Sequence, residues 1–458
     1  MISLTLREVA AACDGEVVGD VAIRVASVLT DSRRSGEVTD ALFVALPGEQ
    51  ADGHRFVTAA LDQGAVAALV QRADALHGGP GVVVPDTWQA IGRLGGAVRD
   101  RVDPDVVAVT GSVGKTTTKD LTRGAIAADR PTVAAEGSYN NELGVPLTLL
   151  AIEADTRALV VEIGARGVGH IAALTPLVRP DVAIVTAVAG AHLEQFGDLD
   201  TVAQAKGELV EALGSGGTAV LNADDERVVA MASRTEGAVL TYGRSAPADL
   251  TAADLRLDDL GRPHFTARTP WGHVDCVVPV SGAHNVDNAL AALAAAGALG
   301  VALQGAAAGL AAAGVSQWRG AVEVSDDGVV VCNDAYNANP TSALAALATL
   351  AALRRGGGRL VAVLGIMAEL GASAEEGHAQ VGREAARTAD LVVAVGEVAA
   401  LAEAARAAGG EVVVVPDAAA ALDHLRSVLR RDDAVLVKAS RVAGLETVAD
   451  GLLTGSGT

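Results

Sequence analysis

Cysteine is scarce in this sequence, with three residues among 458. Their number is odd, they lie far apart in the chain, and no two of them form a CxxC pair. The sequence therefore predicts neither a disulfide framework nor a zinc site. The three residues are Cys13, Cys276 and Cys332. Such cysteine usage suits a reducing compartment, and we expect a cytoplasmic protein.

Long apolar runs are also missing, although the mean hydropathy is +0.35. No stretch of leucine, isoleucine or phenylalanine is long enough to cross a bilayer. The nearest candidate, residues 289–315, consists mainly of alanine and glycine with Gln304 near its middle, so it predicts two packed helices. The first fifteen residues lack the basic head, apolar run and small-residue exit of a signal peptide. We expect neither membrane insertion nor secretion.

Basic residues are outnumbered, since 35 Lys and Arg stand against 56 Asp and Glu and the formal net charge is −21. A chain this acidic repels polyanions, and no block of basic residues offers a local exception. We therefore expect no nucleic-acid partner.

Short β-rich runs alternate with longer helical patterns from residue 106 onward, which is typical of parallel strands joined by crossover helices. Four runs in the middle of the chain read as strands buried on both faces, at 106–110, 158–164, 182–188 and 218–223. Five further runs predict a doubly wound sheet, at 329–335, 360–365, 391–396, 411–416 and 434–440.

The first 86 residues hold four strand candidates around a helical segment at 53–63 and predict a smaller α/β unit. Asp86 is placed to cap a helix that starts near Thr87. The predicted fold class is therefore α/β with three domains. They are a small N-terminal domain (1–86), a central parallel-sheet domain (87–317) and a C-terminal doubly wound, Rossmann-like domain (318–458).

The strongest functional signal is VVAVTGSVGKTTTKDL at 106–121, a β-rich run followed by a glycine turn and a helical pattern. Gly111 and Gly114 allow a sharp turn, so that backbone N–H groups and the helix terminus can face phosphate oxygens. Lys115 adds positive charge at the β and γ phosphates, and Thr116 a hydroxyl for magnesium. The predicted ATP-binding loop residues are Thr110, Gly111, Ser112, Val113, Gly114, Lys115, Thr116 and Thr117.

Two alternatives to a phosphate-binding loop at 106–121 must be considered. A glycine turn can bind nothing, although the strand before it and the helix after it favour a phosphate site. A second match, GVGHIA at 167–172, fits the weak GxGxxA fingerprint after a strand and reads better as an ordinary loop.

The loop has the short TGxxGKT form, and at this point the sequence resembles the Mur ligase family. Further matches follow in the family's order: EGSYNNELGVPLTLL (136–150), VVEIGARGVGHI (160–171), AHLEQFGDLDTVAQAKGEL (191–209), LNADD (221–225) and HNVDNALAA (284–292). Within the family, DAYNANPTS at 334–342 is similar to the member that adds D-alanyl-D-alanine. The resemblance implies an ATP-dependent amide ligase that joins this dipeptide to the terminal carboxylate of UDP-N-acetylmuramoyl-tripeptide, through an acyl phosphate, in peptidoglycan precursor synthesis. Small molecules are its expected partners, and a monomer its expected state.

The resemblance also implies two Mg²⁺ ions. Glu162 ends a buried strand at the sheet edge where ligands collect, and with Thr116 it would hold one ion. His192 would help to hold the second, with a core or loop histidine as the alternative. In similar ligases a lysine at the place of Lys206 is carbamylated, which makes it an anionic oxygen ligand for magnesium. An ordinary solvated lysine is the alternative. Lys115, Glu162, His192 and Lys206 form the predicted catalytic set.

Four more residues complete the implied nucleotide site. Asn285 and Asn288 would face adenine, unless they only cap the helix that starts there. Arg319 would act on the phosphate side and Asp334 on the ribose side, both from the last domain, whose closure would assemble the site.

Seven residues are implied to hold the other substrates. Those for the UDP-linked substrate are Ser32, Arg33, Asn140 and Asn141, and those for the dipeptide are Asn337, Ala338 and Asn339. An arginine matches phosphate geometry, which supports its assignment to the diphosphate. A DGH pattern at 52–54 also follows the family, with a capped helix start as the alternative.

Three positions depart from the family's pattern. Asn333 stands for the first aspartate of a DD pair, Ile366 for the aspartate of LGDM, and Ala439 for the glycine of KGSR. A ligase that has lost activity but still binds nucleotide is therefore one alternative. A sister ligase for another amino acid is a second, although its DNPR-type motif is missing. A P-loop switch or transport ATPase is a third, and it would not explain the UDP-like front of the chain.

Overall fold

The computed structural model describes residues 1–37, 39–48, 51–190, 196–245 and 247–454. The chain forms two compact units. Unit 1 comprises residues 1–108, 130–164 and 171–182, and unit 2 comprises residues 109–129, 165–170 and 183–458. Within the described ranges, no helix has both the length and the apolar character needed to span a membrane.

Unit 1 contains a five-stranded sheet whose strands lie in the spatial order Glu16–Val18, Gly81–Val83, Ala67–Val70, Ala41–Val44 and Ser27–Leu29. The edge strand is antiparallel to its neighbour, and the other three pairings are parallel. Two short antiparallel strands, Leu4–Thr5 and Arg24–Val25, stand beside it, and Thr132–Ala134 pairs in parallel with Ala158–Glu162. The smaller α/β unit predicted for the front of the chain is confirmed.

Two helices of unit 1 begin at residues with clear capping chemistry, Thr5 and Asp86. The helix Thr87–Val102 starts after Asp86, whose carboxylate accepts the N–H groups of Trp88 and Gln89 at 2.8 and 3.2 Å, as the sequence predicted. An N-cap of this kind stabilises a helix by about 1 kcal/mol. The other helices are Leu6–Cys13, Val57–Asp62, Gly144–Leu150 and His170–Val178, with 3₁₀ turns at Ser32–Glu37, Gly53–Phe56 and Ala73–Leu76.

Unit 2 begins with the helix Lys115–Ala127 and contains a run of strands that pair in sequence order. These are Thr218–Asn222, Ala238–Gly243, Leu250–Leu257, Pro263–Thr269 and Gly272–Val277. The first two pairings are parallel, and the last two are antiparallel. The chain passes from one unit to the other within two more strands, Asp105–Thr110 and Val182–Val185. The remaining helices of this part are Leu199–Glu211, Glu226–Val229, Asn285–Ala298 and Leu303–Ala311, with a 3₁₀ turn at Ala230–Arg234.

A six-stranded sheet forms the rest of unit 2, in the order Ala321–Val324, Val330–Asn333, Ala434–Lys438, Leu360–Leu364, Leu391–Val395 and Val412–Val415. Only the first pairing is antiparallel. Helices Pro340–Ala352, Ala374–Thr388 and Ala399–Ala407 cover one face, and helices Ala418–Val428 and Glu446–Leu453 the other. Two short 3₁₀ turns lie at Gly371–Ser373 and Arg441–Ala443.

Both faces of this sheet are therefore buried, which explains its nearly continuous valine and leucine strands. The predicted doubly wound sheet is confirmed, and with it the α/β class. The domain boundaries at residues 86 and 317 stay predictions.

Candidate active site

The glycine loop connects the end of strand Asp105–Thr110 to the start of helix Lys115–Ala127. Gly111 has a φ of +151° and Gly114 a φ of +81°, conformations that favour glycine. A methyl group on Gly111 would overlap the hydroxyl of Thr186, which donates a hydrogen bond to Val113 O at 2.6 Å. The two glycines are thus needed for both the turn and its close packing. The predicted strand, turn and helix are all present.

Lys115 and Thr116 occupy the first turn of the helix. The Lys115 ammonium donates to Gly111 O at 2.7 Å, so it lies over the loop that it follows. The Thr116 hydroxyl, in a side chain that is nearly buried, accepts a hydrogen bond from Arg319 Nη2 at 3.0 Å. Because the N-terminus of a helix carries partial positive charge, ammonium, guanidinium and helix end together favour an anion at this turn.

Arg319 is held in place by its neighbours in the last part of the chain. Its guanidinium carbon lies 3.8 Å from the centroid of the Tyr336 ring, a cation–π contact. Tyr336 N in turn donates to Trp318 O at 3.2 Å. The structure thus brings the arginine predicted for the phosphate side to the phosphate loop.

Asn285 and Asn288 connect the alanine-rich helix to the phosphate-loop helix. Asn285 donates to Ser281 O at 2.8 Å, and Asn288 donates to Asn285 Oδ1 at 2.8 Å. The Asn288 carbonyl oxygen accepts from the Thr118 hydroxyl at 3.0 Å. Among the described contacts, neither side chain accepts a backbone N–H group of its own helix, as a cap would, so the capping alternative is wrong.

A substitution of Gly114 tests this packing. The added Cβ of Gly114→Ala would lie 2.6 Å from Asn288 Oδ1, at a φ that costs alanine about 1–2 kcal/mol. Since 1.4 kcal/mol is about a factor of ten in an equilibrium constant, we expect the KM for ATP to rise at least about tenfold. Gly305→Ala is the control, because Gly305 lies within a helix and its added methyl group would meet no described atom of another segment within 4 Å. An unchanged KM in Gly114→Ala would contradict the packing role.

Asp334 and Asn337 are bound by one buried cation, Lys438. Its ammonium donates to Asp334 Oδ2 at 2.5 Å and to Asn337 O at 3.0 Å, with a longer contact to Asp334 O. Lys438 thereby joins the residue predicted for the ribose side to the segment predicted for the dipeptide. Removal of the Asp334 carboxylate would leave the ammonium of Lys438 buried without its charge partner, which is costly.

The segment Asn337 to Asn339 precedes helix Pro340–Ala352. Asn337 Oδ1 accepts the N–H group of Ala338 at 2.9 Å, and Asn339 Oδ1 accepts that of Ser342 at 2.9 Å. Ser342 Oγ reciprocates by accepting from Asn339 N, which completes a capping box. Asn339 therefore fixes the start of the helix, and Asn337 and Ala338 lie directly before it.

Lys206 lies on helix Leu199–Glu211, whose N-cap is Asp198. The side chain is only 4% exposed, so the solvated-lysine alternative is wrong. Burial, and in second place the charge of Lys115, lower the pKa of the Lys206 amine well below its usual range. The burial of the side chain therefore favours the uncharged form of the amine.

Glu162 is the last residue of strand Ala158–Glu162 in unit 1 and is almost fully buried. Asn140 donates to its Oε1 at 2.7 Å and is itself fixed by a bond from Gly164 N to Asn140 O at 2.8 Å. Asn141 Oδ1 accepts the N–H group of Gly144 at 2.9 Å and so organises the next helix. The structure thus brings Glu162 and Asn140 together. His192 lies outside the described residues.

Comparison with known proteins agrees with this arrangement. Three consecutive segments match the Mur ligase family, catalytic domain (24–112), the Mur ligase middle domain (109–296) and the Mur ligase, glutamate ligase domain (318–441). UDP-N-acetylmuramoyl-tripeptide--D-alanyl-D-alanine ligase of Escherichia coli K12 is 38% identical over 459 residues, covering 99% of each chain. The chain belongs to the Mur ligase family.

Other relatives and solved structures extend the match. The ligase of the same name from Mycobacterium tuberculosis H37Rv is 38% identical over 505 residues, covering 99% of this chain and 98% of the relative. The crystal structure of MurF from Acinetobacter baumannii has a TM-score of 0.88 at 31% identity, covering 99% of both chains. MurF ligase from Thermotoga maritima in complex with ADP has a TM-score of 0.80 at 26% identity, covering 93% and 97%. The three-domain α/β architecture is that of these Mur ligases.

The three departures from the Mur ligase pattern are accommodated locally. Asn333 Oδ1 accepts the N–H group of Ala335 at 3.3 Å. Ile366 contributes its backbone oxygen, which accepts from Ser440 N at 2.8 Å. Ala439 is fully buried, and its methyl group packs against Gly365. None of the three breaks the described contacts of the site.

The residues predicted for the UDP-linked substrate lie in unit 1. Arg33 is exposed and pairs with Asp31 at 2.6 Å, and its hydrogen bond lowers the pKa of that carboxyl. Ser32 begins the 3₁₀ turn that contains Arg33.

The DGH pattern has a structural role. His54 uses both ring nitrogens, with Nδ1 2.6 Å from Asp52 Oδ1 and Nε2 accepting from Gln71 N at 2.8 Å. The second bond requires the proton to be on Nδ1. Asp52 Oδ1 also accepts the N–H group of His54, so the helix-start interpretation is confirmed.

Two contributors were not found from the sequence. They are Thr118 and Thr186, which hold the phosphate loop and its helix. One signal was available. The chain has only four lysines, and three of them, Lys119, Lys206 and Lys438, are no more than 4% exposed. Lysine is almost never fully buried unless it is paired or functional. The fourth is Lys115 of the phosphate loop. The scarcity of lysine in this chain therefore marks each of its four lysines as a candidate for a specific role.

Proposed function

We propose that the protein is the ATP-dependent ligase that joins D-alanyl-D-alanine to the terminal carboxylate of UDP-N-acetylmuramoyl-tripeptide, with release of ADP and phosphate. The observation that carries this proposal is the glycine loop with Lys115 and Thr116 in its first helical turn, met by Arg319 from the last part of the chain. The full-length likeness to ligases of this name and the DAYNANPTS segment at 334–342 support the choice of dipeptide. It works as a cytoplasmic monomer on small molecules.

The nucleotide is held by the loop and by residues that follow it. The N–H groups from Gly111 to Thr117 and the Lys115 ammonium face the phosphates. Asn285 and Asn288 line the adenine side, and Asp334 binds on the ribose side in the orientation that Lys438 gives it. ATP use is common to the family.

Magnesium fits the oxygen donors that the chain provides. Thr116 supplies a hydroxyl and Glu162 a carboxylate, both hard ligands of the kind Mg²⁺ prefers. His192 and a modified Lys206 complete the proposed set. Among the described residues, no cluster of three or more His, Cys, Asp or Glu side chains could hold a metal ion. Triphosphate oxygens are therefore expected to supply further ligands. When bound, the metal would neutralise charge on the transferring phosphoryl group.

Lys206 is suited to carbamylation because burial lowers the pKa of its amine and so favours the uncharged, nucleophilic form. The nitrogen lone pair attacks the carbon of CO₂, a C–N bond forms, and one proton leaves to solvent. The product is an anionic carbamate. This modification replaces the ammonium form of Lys206, which burial disfavours, by carbamate oxygens, which are suited to bind Mg²⁺.

The ligation follows from the need to activate an inert acid. A carboxylate oxygen of the tripeptide attacks the γ-phosphorus, the bond to ADP breaks, and an acyl phosphate forms. Lys115 and Arg319 stabilise the charge on the transferring group. The amine of D-alanyl-D-alanine then attacks the acyl carbon, phosphate leaves with the bonding electrons, and one amine proton is released. Positioning by the protein supplies much of the rate.

The remaining proposed residues orient the two peptide substrates. Ser32 and Arg33 take the UDP part, and Asn140 and Asn141 line the path of the acyl group. Asn337 and Ala338 receive the dipeptide at the start of the helix that Asn339 caps. Their backbone and amide groups are hydrogen-bonding partners for a peptide carboxylate and carbonyl.

A coupled phosphate-release assay tests the function. Phosphate should appear only when ATP, the UDP-linked tripeptide and D-alanyl-D-alanine are all present, and the product should have gained the dipeptide. A sister ligase would instead need a different amino acid in place of D-alanyl-D-alanine. A switch or transport ATPase would release phosphate without either peptide, and a chain without activity would release none.

A further inference from the structure

One face of the phosphate-loop helix carries three contacts to a single segment. Thr116, Asp120 and Gly124 are four residues apart and therefore lie on the same face of helix Lys115–Ala127. Their partners belong to residues 313–319, which we name the linker. It follows helix Leu303–Ala311 and leads to strand Ala321–Val324.

The helix and the linker pair in opposite chain directions, so the start of the helix contacts the end of the linker. At the start of the helix, Thr116 Oγ1 accepts from Arg319 Nη2 at 3.0 Å. In the middle, Asp120 Oδ2 accepts from Ser316 N at 2.8 Å. Further along, an added Cβ on Gly124 would be 2.5 Å from that of Ala313 in the linker and 2.7 Å from Gly309 O in the helix before it. The linker is thus in register with the helix that begins at the phosphate loop.

Asp120 makes the polar contact in the middle of this pairing between the helix and the linker. Its side chain is buried, with Oδ1 2.8 Å from the ammonium of Lys119, which is 1% exposed. The ammonium balances the carboxylate charge on one side, and the Ser316 N–H group satisfies it on the other. A buried carboxylate with both oxygens bonded has little freedom to move. Its position therefore fixes the position of Ser316.

We propose that Asp120 is a positioning residue for ligation, which acts through Ser316 to place the Arg319 guanidinium at the phosphate loop. This inference rests on the proposed function. Arg319 follows Ser316 by three positions, a span of at most about 11 Å, so a shift at one end is transmitted to the other. A misplacement of about 1 Å can cost about 10²-fold in rate.

Two substitutions separate positioning from charge balance. Asp120→Asn keeps an oxygen acceptor for Ser316 N at the same place but removes the charge. Asp120→Glu keeps the charge but moves the acceptor by one methylene group. If Asp120 positions the linker, Asp120→Glu lowers kcat at least about tenfold, whereas Asp120→Asn stays within about threefold of the unmodified protein. If Asp120 only balances Lys119, the order is reversed.

The effect must also depend on Arg319, which a double-mutant cycle measures. In an Arg319→Ala background, product formed over hours is quantified by mass spectrometry. Asp120→Glu should then cause no further loss, because the group that it misplaces is gone. Gly124→Ala, which pushes on the linker at Ala313, should show the same dependence on Arg319. A full loss carried into the Arg319→Ala background by both variants would overturn the proposal.

Asp417→Ala is the matched control. It removes an aspartate that caps helix Ala418–Val428 through Ala420 N at 2.9 Å, in a part of the chain without a described contact to the linker. It should lower the thermal midpoint, leave kcat unchanged and combine independently with Arg319→Ala. Unmodified protein that forms no amide product would contradict the proposed function itself, whereas an active protein with a fully active Asp120→Glu variant would contradict only the positioning role.

Discussion

Lys115→Ala is expected to abolish phosphate release, with kcat reduced at least about 10³-fold. The ammonium donates to the loop carbonyl of Gly111, at the N-terminus of the helix that we propose to face the phosphates. The loss of a preorganised group of this kind costs about 10²–10³-fold or more in phosphoryl and acyl transfer. A phosphate-release assay with both peptide substrates measures the loss.

The control for Lys115→Ala removes one positive charge elsewhere. Arg387 is exposed on helix Ala374–Thr388, where its described ion pair is with Glu384, three residues before it. Arg387→Ala should leave turnover unchanged. Lys115→Arg should be nearly as inactive as Lys115→Ala, because a planar guanidinium cannot replace a compact ammonium in a tight loop. Near-normal turnover in Lys115→Ala would show that the loop does not act on the triphosphate.

Lys206→Ala is expected to lose nearly all activity and to regain a part of it when a short carboxylic acid is added. The substitution removes a buried side chain and leaves space for a small molecule. Formate, acetate or propionate then supplies the anionic oxygens that a carbamate would supply. The measurement is the initial rate of amide formation against acid concentration.

Lys115→Ala is the control for this rescue, because a carboxylate cannot replace its cation. It should stay inactive at every acid concentration. Activity of Lys206→Ala equal to that of the unmodified protein would refute the carbamate. An equal response of both variants to acid would show that the acid acts elsewhere.

Much of the fold follows from local patterns. Strands such as Leu360–Leu364 and Leu391–Val395 are apolar throughout because helices cover both faces, so their sequence alone indicates a buried parallel sheet. The antiparallel strands between residues 250 and 277 were not predicted from the sequence. Leu250–Leu257 is long and largely half-buried or exposed, with polar residues and a register shift between Ala253 and Arg256 that blurs its alternation.

The candidate active site, like the fold, has a part that the sequence predicts and a part that it does not. The glycine loop is contiguous in sequence, so its turn, its lysine and its helix could be predicted together. Contacts that hold it join residues far apart, such as Thr118 with Asn288, 170 positions on, and Thr116 with Arg319, 203 positions on. No periodicity links such positions, and only the family's resemblance pointed to the partners.

Lys206 shows what a sequence leaves open. A lysine on an amphipathic helix is usually solvated, since its long side chain reaches water easily. Its actual exposure depends on the elements packed around helix Leu199–Glu211, which the local pattern does not reveal. Burial excludes the solvated interpretation and lowers the pKa of the amine, whereas the carbamate stays a prediction.

We propose that the glycine loop transfers the γ-phosphoryl group of ATP to the tripeptide carboxylate. Tripeptide substrate with both oxygens of its terminal carboxylate labelled with ¹⁸O, ligated to D-alanyl-D-alanine and followed by mass spectrometry, tests this transfer directly. The released phosphate should contain one labelled oxygen for each amide bond formed. Amide formation with unlabelled phosphate would contradict the transfer.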